Sequence, residues 1–123
     1  MVNVTVIDYG MGNLSSVAKA LELCGARVKI SSSCKEICKS DRLVLPGVGN
    51  FGKAMEELTN RGLVEPIQKH VACVRPFLGI CLGMQLLFET SDEAPGVTGL
   101  GLFSGTVKQI GRAHVWTPVT NHH

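Results

Sequence analysis

The fold of this chain is constrained most by one short stretch of sequence, GICLGMQ at positions 79–85. An apolar run at 76–80 leads into Cys81 and a helix-like run at 82–89 leads out of it, which predicts a strand, a one-residue corner and a helix. Gly79 and Gly83 remove side chains where such a corner would be most crowded. The pattern is the thiol counterpart of the strained nucleophile elbow of hydrolases, and it predicts a nucleophilic sulfur at a helix amino terminus. The alternative is a cysteine buried in an ordinary strand–helix turn.

Apolar periodicity predicts strands that alternate with helices along the rest of the chain. The predicted strands lie at 1–7, 26–30, 43–45 and 77–80, and the predicted helices lie at 14–24, 51–58, 63–74 and 82–89. Residues 31–41 are polar and typical of a loop with at most one short helical turn, and two further short strands are predicted at 100–103 and 106–109. The alternation favours parallel β-α-β units in an α/β fold with a doubly wound, mostly parallel sheet.

Three stretches with unusual backbone requirements each follow a strand of this predicted sheet. Gly10–Gly12 follow the first strand, Gly47–Gly49 follow the third, and Cys81 follows the fourth. Doubly wound sheets bind their ligands at the carboxyl ends of the strands, where these three stretches would meet. The sequence therefore predicts a functional site at that edge of the sheet.

A resemblance to a known family is carried by four stretches: DYGMGNL at 8–14, LPGVGNFG at 45–52, GICLGMQLL at 79–87 and EAPGVTGL at 93–100. The chain resembles the class I glutamine amidotransferases, and within them it is most similar to the glutaminase subunits of the imidazole glycerol phosphate synthases of histidine biosynthesis. The resemblance implies a flavodoxin-like fold and the hydrolysis of glutamine to glutamate and ammonia. It also implies a (β/α)8-barrel cyclase partner that uses the ammonia to make imidazole glycerol phosphate. The alternatives are another class I amidotransferase and a partner-binding module without catalysis.

Glutamine hydrolysis gives roles to residues on both sides of the predicted corner. Cys81 is the predicted nucleophile, which forms a glutamyl thioester. The backbone N–H of Leu82, just past the corner, points where the oxyanion would develop. From the resemblance, the loop after the third strand supplies a second oxyanion donor and contacts the substrate, as does a glutamine on the following helix. The residues assigned on that basis are Val48 and Gly49 for the oxyanion and Gly47, Gly49 and Gln85 for the substrate. Without the resemblance, these positions would be a post-strand turn and a solvated side chain.

A cysteine triad also needs a histidine base that a carboxylate orients. The resemblance places both groups downstream of the region that this chain matches. His70 precedes the predicted corner in a polar part of a helix and matches no catalytic position, and the other histidines, His114, His122 and His123, lie in the final stretch. We therefore expect residues 1–109 to correspond to the N-terminal part of the family's domain, and we expect the chain to be incomplete at its C-terminus and inactive.

The final stretch, IGRAHVWTPVT from Ile110, has neither helical nor strand periodicity. It is identical to one reading frame of a common short-read sequencing adapter when the TGA stop codon is read as Trp116. We expect residues 110–123 to be a non-native tail, in which His114 and Trp116 carry no function.

Composition and charge indicate which partners, location and bound groups to expect. The 123 residues include 12 basic and 10 acidic side chains, a net charge of +2 that indicates neither a nucleic-acid partner nor a membrane surface. No stretch is long and apolar enough to span a bilayer, and the amino terminus lacks a signal region, so a cytoplasmic location is expected. Five cysteines without a disulfide spacing fit free thiols in a reducing compartment. Since no second ligand pair accompanies Cys34 and Cys38, we expect no metal, and we expect no cofactor.

Overall fold

A four-stranded parallel sheet forms the centre of the fold, in a computed structural model that describes residues 2–110 and 115–119. Its strands are β1 (Val2–Ile7), β2 (Ala26–Ser31), β3 (Leu43–Leu45) and β4 (Phe77–Gly79), and they lie in the order β2-β1-β3-β4. All three strand pairings are parallel. The predicted α/β fold with a mostly parallel sheet is therefore confirmed, and the carboxyl ends of β1, β3 and β4 lie at one edge.

Among the described residues there are five helices, and the first three in chain order begin after a capping side chain. They are α1 (Leu14–Leu23), α2 (Cys34–Lys39), α3 (Phe51–Asn60), α4 (Val64–Ala72) and α5 (Leu82–Gln85). Asn13, Ser33 and Asn50 each accept a hydrogen bond from the backbone N–H three residues later, which stabilises the first turns of α1, α2 and α3. The short helical turn allowed within 31–41 is α2, which forms because Ser33 caps it and Ile37 is fully buried.

Helices cover both faces of the parallel sheet, so the apolar core has two parts. On one face, a large cluster joins β3 to α3 and α4; it includes Leu43, Leu45, Phe51, Leu58 and Ile67. On the other face, Val4, Val6 and Val44 pack with apolar residues of α1. Burying each such side chain contributes roughly 2 kcal/mol before conformational entropy is counted. Burial on both faces holds β3 in a fixed position, β4 pairs with it, and the predicted functional site follows these two strands.

A second, three-stranded sheet follows α5, and the sequence did not predict it. Its strands are β5 (Phe88–Ser91), β6 (Phe103–Ile110) and β7 (Val115–Val119), with β5 parallel and β7 antiparallel to β6. The predicted helix at 82–89 is wrong beyond Gln85. Phe88 pairs with Phe103, their rings 5.8 Å apart, and this cross-strand aromatic contact competes with continuation of the helix.

The predicted strands at 100–103 and 106–109 are also wrong in their bounds. A single strand, β6, spans Phe103–Ile110. The preceding residues instead pack back on the end of α5: the N–H groups of Leu100 and Leu102 donate to the carbonyls of Leu86 and Leu87, each at 2.8 Å. These contacts stabilise the turn from the elbow helix into the second sheet.

The stretch from Ile110 was expected to have no strand periodicity, yet Val115–Val119 form β7. Its β-branched residues favour extended backbone, and β6 offers an edge to pair with. Pro118 is tolerated because β7 is itself at the sheet's edge. His114, His122 and His123 lie outside the described residues. Over 2–110 and 115–119, no helix is both long enough and apolar enough to cross a bilayer.

Candidate active site

Cys81 lies at the corner between β4 and α5 with a strained backbone. Its φ of 55° and ψ of −124° fall in a region that residues with a side chain rarely occupy, at a cost of about 1–3 kcal/mol. The residue is exposed, which rules out the alternative of a cysteine sealed in a turn. Strain of this kind persists where the surrounding structure fixes the residue, so the corner holds Cys81 in one orientation.

The two glycines around Cys81 allow the corner to pack closely, Gly83 against β3 and Gly79 against α5. A Cβ at Gly83 would overlap the backbone carbonyl of Leu45, and a Cβ at Gly79 would lie 2.8 Å from the Cα of Met84. No side chain fits at either position without displacing backbone. The predicted crowding around Cys81 is therefore confirmed.

The loop after β3 reaches the elbow, as the sequence predicted. Gly47 is buried, and a Cβ placed on it would lie 3.0 Å from the backbone N of Gly83 and 3.1 Å from the Cβ of Leu82. Val48 points outward with 57% of its surface exposed, and Gly49 has a φ of 109° that favours glycine. The structure thus brings Gly47 against the elbow, with Val48 and Gly49 following it at the surface.

The backbone N–H of Leu82 donates a hydrogen bond to the carbonyl of Gly47, 3.2 Å away. The donor predicted to stabilise an oxyanion is therefore engaged by the loop in this conformation. The Gly47 carbonyl must move away before the Leu82 amide can bind another oxygen. Loop and elbow are coupled through this one contact.

Known proteins share both the sequence and the fold of this chain. The family model described as glutamine amidotransferase class-I matches residues 5–117. The chain belongs to this family. Two solved structures share the fold: a crystal structure of a glutamine amidotransferase aligns with a TM-score of 0.75 at 21% identity, covering 89% of this chain and 58% of that one. A putative peptidase E protein from Listeria monocytogenes aligns with a TM-score of 0.63 at 19% identity, covering 80% and 60%. At these identities the two structures support the fold alone.

Curated relatives include imidazole glycerol phosphate synthase subunits HisH. The one from Thermus thermophilus is 50% identical over 105 residues, which are 85% of this chain and 53% of the relative. The one from Trichodesmium erythraeum is 52% identical over 107 residues, which are 87% of this chain and 50% of the relative. The chain spans about half the length of the curated relatives that it matches.

Two residues that contact the stretch between β3 and α3 were missed by sequence reasoning. Glu93, which follows β5, accepts a 2.7 Å hydrogen bond from the N–H of Phe51, the first residue of α3. Tyr9 is fully buried and donates a 2.6 Å hydrogen bond to the carbonyl of Pro46. Both stretches carried the family resemblance, but neither contact has a local sequence signal because the partners are 42 and 37 residues apart.

Of the remaining residues considered in the sequence, Gln85 lies close to Cys81 in the chain and His70 does not. Gln85 is half-buried on α5, one turn after Cys81, and its role in binding substrate stays a prediction. His70 was expected in a polar part of its helix, but it is buried, with Nε2 2.8 Å from the Pro76 carbonyl just before β4. Cys81 follows the other end of β4. His70 therefore contacts the backbone before β4 and not the nucleophile. In the part of the chain that the structure describes, no group of three or more His, Cys, Asp or Glu side chains could hold a metal ion.

Proposed function

We propose that Cys81 is the nucleophile of a glutaminase. Its thiolate attacks the side-chain amide carbon of glutamine, the carbon–nitrogen bond breaks, and ammonia leaves with an added proton. Water then cleaves the glutamyl thioester, which yields glutamate and the free thiol. The observation that carries this proposal is the exposed cysteine held at φ 55° beside a buried glycine loop. Membership of the class I amidotransferase family supports it.

The oxyanion of the tetrahedral intermediate would be stabilised by backbone N–H groups on both sides of Cys81. We assign the Leu82 amide from the elbow and the Val48 and Gly49 amides from the loop. The hydrogen bond between Leu82 and Gly47 supports the placement of the loop, and its release would make the Leu82 amide available. Gly47, Gly49 and Gln85 would contact the glutamine substrate.

The partner we propose is a cyclase subunit of the (β/α)8-barrel type, which would receive the ammonia and make imidazole glycerol phosphate. The relatives are named as subunits of an imidazole glycerol phosphate synthase, which supports this pairing. We place this pair in the cytoplasm, and the net charge of +2 supports a pairing without nucleic acid or membrane. The reaction as written needs no cofactor.

A chimera tests the glutaminase proposal. Residues 1–109 would replace the matching half of the Thermus thermophilus relative, and glutamate release would be measured with the cyclase subunit present. We expect release that Cys81→Ala abolishes. A chimera that folds and binds the cyclase but releases no glutamate, beside an active Thermus parent, would contradict the proposal.

The chain by itself should not turn over glutamine. His70 is the one histidine among residues 2–110 and 115–119, and it lies beyond the far end of β4 from Cys81, so it is not assigned as a base. A base is needed to move protons in both halves of the reaction. We expect no glutamate release from the chain alone or with the cyclase, and release that disappears in Cys81→Ala would refute this.

The boundary between domain and tail is a proposal of its own: residues 1–109 belong to the amidotransferase domain and residues 110–123 are not native. The identity to a translated adapter supports it. The family match runs to residue 117 and β7 pairs with β6, so the test of the boundary lies in the source DNA. Codons from Ile110 onward that differ from the adapter in the source DNA would end the idea.

A further inference from the structure

A buried phenol lies beneath the loop that faces the elbow. Tyr9 follows β1 by two residues, has no exposed surface, and donates from its hydroxyl to the carbonyl of Pro46 at 2.6 Å. A buried hydroxyl needs a partner, because an unpaired donor in the interior loses its hydration without compensation. Tyr9 therefore holds the Pro46 carbonyl in one orientation.

The same hydroxyl also limits the next residue of the loop. A Cβ at Gly47 would lie 2.5 Å from the Tyr9 oxygen, closer than any side chain tolerates. Gly47 is thus the pivot between two peptide planes. The plane before it is fixed by Tyr9, and the plane after it carries the carbonyl that accepts the Leu82 N–H at 3.2 Å.

We propose that Tyr9 is a positioning residue, which anchors the Pro46–Gly47 peptide and so keeps the Gly47 carbonyl on the Leu82 amide. With the first plane anchored, rotation about the bonds of Gly47 would free the Leu82 amide. Tyr9 acts through the loop and does not touch the reacting atoms. The inference rests on the proposed function only where it treats Leu82 as the oxyanion donor.

The hydrogen bond from Leu82 to Gly47 can be measured directly by NMR. The scalar coupling across it, between the Leu82 nitrogen and the Gly47 carbonyl carbon, reports its geometry, and amide exchange at Leu82 reports its opening. In Tyr9→Phe we expect the coupling to weaken and exchange at Leu82 to accelerate about fivefold, the effect of losing a bond worth roughly 1 kcal/mol. Exchange at Val44 in the core should be unchanged.

A matched control removes a hydroxyl that makes a hydrogen bond of the same length away from the loop. Ser40 donates to the Thr5 hydroxyl at 2.6 Å, so Ser40→Ala should leave the Leu82 coupling and exchange as they are in the parent. The proposal is overturned if the coupling in Tyr9→Phe equals that of the parent, or if both variants accelerate exchange at Leu82 and Val44 equally. Because neither readout involves glutamine, a failed glutaminase assay leaves this result interpretable.

Discussion

At the residue scale, the elbow depends on two positions that cannot carry a side chain. Gly83→Ala places a methyl group on the Leu45 carbonyl, whereas a Cβ at Gly96 meets open space. We expect Gly83→Ala to lower the free energy of unfolding by about 3 kcal/mol, the upper range for overpacking. Gly96→Ala should cost about 1 kcal/mol, because Gly96 has a φ of 82°. Urea denaturation of both variants checks this, and equal losses would show that the corner is looser than described.

The buried Tyr9 makes the stability of the folded chain depend on pH in the alkaline range. Burial raises the pKa of Tyr9 above its ordinary value near 10, because the phenolate would lose its hydration. The folded state therefore favours the neutral phenol; this contribution to stability is complete below about pH 10 and is lost as the pH rises through the higher folded value. Tyr9 is the single tyrosine, so phenolate absorbance at 295 nm reports it alone. Absorbance should rise only with loss of the circular dichroism signal; a midpoint near pH 10 with the fold intact would contradict this.

At the scale of elements, α3 shows how the second sheet supports the loop. The helix has no acidic residue in its first turn, and Glu93 supplies a carboxylate there from another element. We expect Glu93→Ala to lower the free energy of unfolding by about 2 kcal/mol, since hydrogen bonds to charged groups are worth roughly that much. Glu93→Gln, which keeps an acceptor but loses the charge, should fall between Glu93→Ala and the parent.

The control for Glu93 is an exposed acid on α4. Glu65 pairs with Lys69 at 3.1 Å with 76% of its side chain exposed, and such pairs contribute about 0.5 kcal/mol or less. Glu65→Ala should therefore change the urea midpoint little. If Glu65→Ala lowers the free energy of unfolding as much as Glu93→Ala does, the hydrogen bond from Phe51 to Glu93 has no particular importance for stability.

The same elements show what the sequence could and could not predict. The order of strands and helices through Cys81, and the meeting of the Gly47 loop with the elbow, followed from periodicity and from the position of glycines after strands. The end of α5 at Gln85 did not, because it depends on Phe88 pairing with Phe103 across the second sheet. The roles of Tyr9 and Glu93 were missed for the same reason: each depends on a distant backbone group.

At the scale of the whole molecule, β4 is an edge strand, and none of the described residues pairs with its outer side. Leu78 is 51% exposed there, and a groove of about 390 Å³ lies on Phe77 and Phe103 beside it. Exposed apolar edges of this kind promote self-association. We expect the chain to form oligomers whose mass falls in Leu78→Lys, measured by sedimentation equilibrium.

A matched variant distinguishes association through the β4 edge from non-specific association. Leu23, at the end of α1, is 89% exposed and belongs to a helix and not to the edge strand, so Leu23→Lys adds the same charge away from β4. We expect Leu23→Lys to leave the oligomer mass unchanged. An equal fall in both variants would indicate that charge alone disperses the chain.

The central claim, that Cys81 is held as a nucleophile in a site shaped for glutamine, is tested by labelling. All five cysteines are exposed, so a small alkylating agent does not discriminate by access alone. A chloroketone analogue of glutamine, whose chloride a thiolate displaces, should modify Cys81 before Cys24, Cys34, Cys38 or Cys73, and excess glutamine should slow this. Mass spectrometry of the digested chain locates the adducts. Similar labelling at all five positions, or an unlabelled Cys81, would contradict the claim.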